Sequence, residues 1–350
     1  MDKKFKLGQF YTTRAQYIIG NLISAIPKDC IVVEPFCGMG DLLIAENTFE
    51  LYDIDPKIKG CERRDTLINP PNYHNKFVIT NPPFLARNKN DDKTIYDLYN
   101  VNDLYKASIK SILDCEGGIL IVPLNFFCDD DDSFRNIFFQ RFKVTKLNVF
   151  EETVFDDTAY TICSFLFQKN VIGDSIESYQ IPCNFFPSGE LMNFNIERDS
   201  GYRIGSEFFK LLNLHAFKSS SISRLKEGDE ANSSIFLRAI DTGAADGKIC
   251  LKIENEPFFG KKHDRSFATI TFNTKYSLED QKIICEGFNQ ILEEYRKKYR
   301  SMFLTSFMNS SSGYSRKRIG FDDAYKLINY VMAEKGLIIQ NIKKAKKALY

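Results

Sequence analysis

The chain has 350 residues, 43% of them apolar and 27% charged, with a net charge of +1. That profile fits a folded protein long enough for two domains and for a core that needs neither disulfides nor metal. It lacks the 18-residue apolar run of a membrane span, an apolar leader in its first residues, and any C-x-x-C pair among its nine cysteines, while its three histidines (His74, His215, His263) are scattered. A cytoplasmic protein with reduced thiols, no metal site and no membrane contact is expected.

The first 170 residues alternate short apolar runs with helical patterns. Strands are predicted over 30–34, 50–54, 77–80, 118–123, 144–150 and 161–167, and helices over 14–26, 41–47 and 101–115. In the first helix Tyr17, Ile18, Leu22 and Ile26 recur at helical spacing. Fully apolar strands alternating with helices predict an α/β fold with a mostly parallel sheet covered on both faces. The last two strands have no clear helix between them, so one antiparallel strand is expected at the sheet edge. Beyond residue 170 the strand-like pieces become short and irregular, which predicts a second, α+β domain over 171–350. The charge is uneven as well. Residues 291–350 hold 13 Lys and Arg against five Asp and Glu, so that end carries +8. Such a bias suggests a polyanion contact. Arg316, Lys317 and Arg318 follow a Ser-Ser-Ser-Gly stretch at 310–313, where a flexible loop would suit phosphate contact. The Lys-rich tail at 343–347 could equally be a solvated helix end.

Three segments in the first half carry chemistry. The run Glu34-Pro35-Phe36-Cys37-Gly38-Met39-Gly40 reads as strand, glycine turn, helix, and Gly38 and Gly40 would let a ligand approach the backbone. It lacks the third glycine of a dinucleotide fingerprint. Asp53 ends the next strand, where a carboxylate can take both hydroxyls of a ribose, and Asp65 follows as a candidate acceptor for an adenine amine. The strand at 77–80 then runs into Asn81-Pro82-Pro83-Phe84. The prolines end the ladder and stiffen the turn. The Asn81 side-chain carbonyl and the Pro82 main-chain carbonyl can both accept from one –NH2 group. Two such acceptors expose the nitrogen lone pair of an otherwise poor nucleophile, and Phe84 offers a flat face for stacking.

Together these segments resemble the gamma-class, N6-adenine-specific DNA methyltransferases that use S-adenosylmethionine. The resemblance covers about residues 8–168. Gly8-Gln9-Phe10-Tyr11-Thr12-Thr13 is similar to the N-terminal motif of that class, Glu34 to Gly40 to its methionine-binding loop, and Asn81-Pro82-Pro83-Phe84 to its catalytic motif, with Phe where many members have Tyr. It implies a Rossmann-like methyltransferase sheet over 1–170 and a target-recognition domain over 171–350. Gln9, Tyr11, Thr12, Thr13, Glu34, Pro35, Gly38, Gly40, Asp53, Asp65 and Asn81 would bind the cofactor, leaving S-adenosylhomocysteine as product. Asn81, Pro82, Phe84 and Phe155 would act on the base, with Phe155 (Tyr160 as the other choice) stacking on the face opposite Phe84. Arg87, Lys89 and Arg316–Arg318 are the candidate contacts to double-stranded DNA, with Arg238 and the loop at 241–243 behind them. A monomer or weak dimer, with a cognate restriction endonuclease acting separately, is the expected setting, in the cytoplasm or, for a viral chain, in the compartment holding the DNA. Cytosine N4, an RNA guanine or a protein glutamine amide are other substrates for the same turn. A DNA-binding module on a degenerate methyltransferase fold remains the non-enzymatic alternative.

Overall fold

A computed structural model of the protein describes residues 8–129, 133–156, 158–170, 177–242, 247–261, 264–309 and 315–338. The chain divides into two compact units, one of residues 1–203 with 308–315 and one of residues 204–307 with 316–350.

The first unit opens with helix α1 (Ala15–Ile23), whose buried Ala15, Ile18, Ile19 and Leu22 fall on one face at three- and four-residue spacing. The sheet then assembles from β1 (Ile31–Glu34), β2 (Thr48–Asp53), β3 (Glu62–Arg63), β4 (Phe77–Thr80), β5 (Gly117–Pro123), β6 (Phe142–Phe150), β7 (Ile162–Lys169), β8 (Ser178–Phe186) and β9 (Leu191–Glu197). Their order is β3-β2-β1-β4-β5-β7-β6-β8-β9. The chain leaves β1 toward β2 and β3, then returns to build β4 and β5 on the other side. Strands β1 to β5 are parallel, with Val33 of β1 opposite Glu50 of β2 and Val78 of β4. That reversal of direction at β1 and β4 opens a crevice at the carboxyl ends of the strands, the usual ligand position in such sheets.

The expected edge strand lies elsewhere. β7 is antiparallel to both neighbours, β5 and β6, as the missing helix before it suggested. It sits inside the sheet, between β5 and β6, and the hairpin β8–β9 continues the sheet past β6, with β8 parallel to β6. The first unit therefore runs to Arg203, beyond the expected boundary near 170. The alternation of buried Ile181, Cys183 and Phe185 in β8 is broken by Pro182 in the sequence, which hid the strand.

The predicted helix at 41–47 is a series of turns. Gly40 has φ +81°, and the Asn47 amide closes the connection on the carbonyls of Pro27, Lys28 and Cys30 at 2.8, 3.0 and 3.1 Å. Within the stretch predicted as one helix at 101–115, only α3 (Leu104–Ser111) forms, capped by Asp103. A short α2 (Thr94–Tyr99) precedes it. Between β5 and β6 lie α4 (Asn125–Cys128) and α5 (Ser133–Arg141). These supply Phe126, Phe134 and Phe138 to a cluster with Phe142, Phe165 and Phe167, with successive ring centroids 5.0–5.4 Å apart. Edge-to-face, tilted and offset-stacked contacts together form this part of the core.

The second unit has a four-stranded antiparallel sheet in the order β10 (Ile222–Arg224), β13 (Phe267–Phe272), β11 (Ile235–Arg238), β12 (Cys250–Ile253). Its longest helix, Leu278–Lys298, starts with a Ser277–Asp280 capping box and buries Ile284, Cys285, Phe288 and Leu292. Gly287 lets this helix approach the helix Phe321–Glu334, since a Cβ there would lie 2.6 Å from Val331. The unit is α+β, as expected.

Candidate active site

The crevice at the ends of β1, β2 and β4 is a cavity of about 230 Å³ lined in part by Gln9, Tyr11, Gly38, Asp53, Asp65 and Asn81. Six of the residues singled out in the sequence thus converge. Gly38 adopts φ +53°, and a Cβ there would come 3.2 Å from the Tyr11 ring, so the turn needs glycine for both its conformation and its neighbour. Its N–H donates to Asp53 Oδ2 at 2.8 Å, while Asp53 Oδ1 accepts from the Asp55 N–H at 2.7 Å. Asp53 is 4% exposed, so its carboxylate both fixes the glycine turn and borders the cavity. Asp65 Oδ1 accepts from the Leu67 and Ile68 N–H groups at 3.1 and 3.3 Å, capping a turn at the cavity wall.

Other predicted cofactor residues act from behind the wall. Glu34 is 1% exposed and ties β1 to β4: its Oε1 accepts from Thr80 Oγ1 at 2.6 Å and from the Phe36 N–H at 3.0 Å. The Pro35 carbonyl accepts from Thr66 Oγ1 at 3.0 Å. The Gly40 N–H donates to the Cys37 carbonyl at 2.9 Å, and Thr13 Oγ1 donates to Asp156 Oδ2 at 3.2 Å. Burial pushes the Glu34 carboxyl up from 4.5 to about 8, against the pull of its hydrogen bonds. The folded state then holds this proton more tightly than the unfolded state does. The resulting stability is complete below about pH 4.5 and is lost as pH rises through about 8. Between about pH 6 and about pH 9 the melting temperature of the wild type should fall more than that of Glu34→Gln, which keeps the shape without the titration. Parallel melting curves for the two proteins over that range would refute the assignment.

Asn81 stands at the exit of β4. Its Nδ2 donates to the Phe10 carbonyl at 2.7 Å and to Thr12 Oγ1 at 3.0 Å. A backbone carbonyl can only accept, so these contacts fix which end of the amide is which. Asn81 Oδ1 is left buried with no hydrogen-bond partner among the described residues. A buried acceptor without a donor costs about 1–3 kcal/mol. The strap that orients Asn81 is also joined to the proline turn, since the Phe84 N–H donates to the Gly8 carbonyl at 2.9 Å. Gly8 has φ +66°, and a Cβ there would lie 2.8 Å from the Phe84 carbonyl oxygen. Gly8→Ala should therefore lower stability by about 1–3 kcal/mol and loosen Asn81. A thermal melt within a degree of wild type would contradict that.

Pro82 and Phe84 are buried beside it. Phe155 is also buried, and its ring meets Phe84 at 6.5 Å and 64°, in edge contact. The expected parallel sandwich of Phe84 and Phe155 is thus not formed here, because the Phe10 ring stacks on Phe84 at 5.7 Å and 27°. Tyr160 meets Phe10 edge-on at 6.4 Å.

Several expected DNA contacts have other partners. Arg87 pairs with Asp97 at 2.7 Å. Lys89 is exposed, with its Nζ 3.5 Å from the Tyr160 hydroxyl. Residues 315–318 form a strand, where a flexible loop was expected. Lys317 is 5% exposed and its N–H donates to Asp241 Oδ2 at 3.2 Å, which removes it as a phosphate contact. Arg316 Nε donates to the Asp241 carbonyl at 3.0 Å. Arg318 is partly buried, and burial and the neighbouring Arg265 hold its guanidinium below the usual range. Arg296, counted in the basic end, is tied to both Asp241 oxygens at 3.1 and 3.0 Å. Arg238 lies in β11. Gly243, the tail at 343–347 and the Ser-Ser-Ser-Gly stretch at 310–313 fall outside the described residues.

Sequence reasoning missed that Arg64, Asn90, Asp92 and Ile95 also line the cavity. Arg87 and Lys89, the candidate DNA contacts, precede Asn90 and Asp92, and no motif in the sequence sets these two apart.

No family model matches the chain. No curated protein sequence matches it either. Among solved structures, it is similar to the type I restriction-modification system methyltransferase subunit from Streptococcus thermophilus, with 12% identity and TM-score 0.41, over 56% of this chain and 59% of that one. The M protein of the type I restriction enzyme EcoKI aligns over 97% of this chain and 75% of its own, with 10% identity and TM-score 0.39. The type IIG restriction endonuclease BpuSI aligns over 68% and 38%, with 14% identity and TM-score 0.37. Across four such matches the chain spans only 49 to 60% of the matched chain's length.

Proposed function

We propose that the protein is an S-adenosylmethionine-dependent DNA methyltransferase acting on N6 of an adenine turned out of the duplex. The observation that carries this reading is the Asn81 amide: its donor end is locked by Phe10 and Thr12, while its buried oxygen has no partner among the described residues. An acceptor prepared in this way, beside a cavity with a glycine turn and two carboxylates, suits an incoming amine.

The residues present fit the cofactor. Gly38 leaves the turn open, and Gln9, Tyr11, Asp53 and Asp65 line the place that would hold it. When bound, S-adenosylmethionine supplies a sulfonium methyl that needs no further activation, so the protein's task is positioning. Asn81 Oδ1 and the Pro82 carbonyl take the two amine hydrogens, which turns the nitrogen lone pair outward. On transfer the methyl would leave sulfur as its bond to nitrogen forms, giving S-adenosylhomocysteine, and the nitrogen would shed one proton to water. Unstacking the base costs a few kcal/mol, and stacking on Phe84 returns about 1–3 kcal/mol. The second unit would read the duplex sequence, and the protein would act in the cytoplasm as a monomer or weak dimer, as the modification half of a restriction-modification pair.

Mixed-sequence DNA incubated with the protein and isotope-labelled cofactor, then digested to nucleosides, should yield labelled N6-methyldeoxyadenosine. Label in N4-methylcytosine would move the reading to the other amine base. Label in neither would refute it.

A further inference from the structure

We propose that the Phe10 ring occupies, in the free protein, the place that the target base takes in the complex. The inference rests on Asn81 as the amine acceptor and concerns what fills its pocket beforehand.

A planar base between two aromatic faces needs its neighbours about 7–8 Å apart, since each contact takes about 3.5–4 Å. Phe10, Phe84 and Phe155 leave no such gap: their centroids lie 5.7, 6.5 and 6.5 Å apart. Of the three, Phe10 is the ring stacked on Phe84, at 27°, while Phe155 meets Phe84 nearly on edge. Phe10 thus makes the contact with Phe84 that a base would make. Phe84 and Phe155 are buried, but Phe10 is only half-buried. Its backbone is fixed independently of its ring, through the Phe10 carbonyl on Asn81 and the Gly8 carbonyl on the Phe84 N–H. Rotation about the side-chain bonds can therefore clear the stack while Asn81 keeps its orientation. Phe10 and Asn81 line the same cavity, and a phenyl ring has no donor to offer the buried Asn81 oxygen, which has no partner among the described residues. Base entry exchanges one ring for another on Phe84 and adds the hydrogen bond that Phe10 cannot make. Phe10 is in this sense a positioning residue that keeps the pocket in shape and selects for a ring bearing an amine.

The test uses calorimetric titration of the full chain with deoxyadenosine and with purine deoxyriboside, which lacks the 6-amino group. Phe10→Ala should bind deoxyadenosine at least about tenfold more tightly than wild type, since the closed state no longer competes. It should bind the amine-free purine several-fold more weakly than deoxyadenosine. Equal deoxyadenosine binding by wild type and variant, or no gain in the variant, would overturn the proposal. A gain that is the same for both purines would leave Phe10 as the occupant and count instead against the amine role of Asn81. Phe10→Trp guards against misfolding: the chain has no tryptophan, so its indole is a lone reporter. Its emission should shift to longer wavelength on adding millimolar deoxyadenosine, and an unmoved spectrum would overturn the proposal.

Discussion

Asn81→Ala should reduce methyl transfer by a factor of at least about 10²–10³, the size of effect seen when a prepositioned hydrogen-bonding group is removed from a reacting centre. Cofactor affinity should fall far less than transfer, because Gln9, Tyr11, Gly38, Asp53 and Asp65 still line the cavity that Asn81 borders. The companion variant Asn81→Asp separates having an acceptor from aiming it. Asp keeps the acceptor oxygen and adds a second, but loses the donors that bind the Phe10 carbonyl and Thr12 Oγ1. It also sets a carboxylate against a carbonyl oxygen, so the side chain should turn away and transfer should be lost as well. Rapid single-turnover transfer by either variant would remove Asn81 from the chemistry. Loss of cofactor binding in Asn81→Ala would move its role to the cavity wall.

The second large effect is expected at Asp53. Asp53→Ala should weaken binding of S-adenosylhomocysteine by roughly 10–100-fold, as expected for losing hydrogen bonds to a charged group worth about 1.5–3 kcal/mol. It also strips the Gly38 and Asp55 N–H groups of their acceptor, so the melting temperature should fall in parallel. Asp53→Asn keeps one oxygen and should fall between the two. The ligand-bound and ligand-free melts distinguish the effects: a stability loss with unchanged affinity would mean that Asp53 only holds the turn.

The sequence made β1, β2, β4 and β5 legible because each carries a short apolar run that gives way to an acid, asparagine or proline. Val32-Val33-Glu34, Leu51-Tyr52-Asp53 and Val78-Ile79-Thr80 each end at or within two residues of a cavity residue, namely Phe36, Asp53 and Asn81. The helices around it were less legible. Segment 41–47 has helical composition, but the Asn47 amide satisfies three carbonyls of the preceding loop and leaves only turns. The α4 and α5 helices are so rich in phenylalanine that nearly every face is buried, so no polar stripe marks their period. Charge proved the weakest guide. The basic count at 291–350 is correct, yet Arg296 and Arg316 are bound to Asp241, and Lys317 lies in the interior beside it. A carboxylate 55 residues before Arg296 in the chain leaves no local trace. The role of Phe10 was equally invisible, because a ring placed against Phe84 from 74 residues away has no periodicity to announce it.

Single-molecule sequencing of DNA exposed to the protein and S-adenosylmethionine tests the central claim most directly. The account predicts N6-methyladenine at a fixed position of one short sequence, absent when the Asn81→Ala protein is used. A protein that binds the cofactor yet leaves every adenine unmodified, or one whose Asn81→Ala variant marks the same positions as fully as wild type, would contradict it.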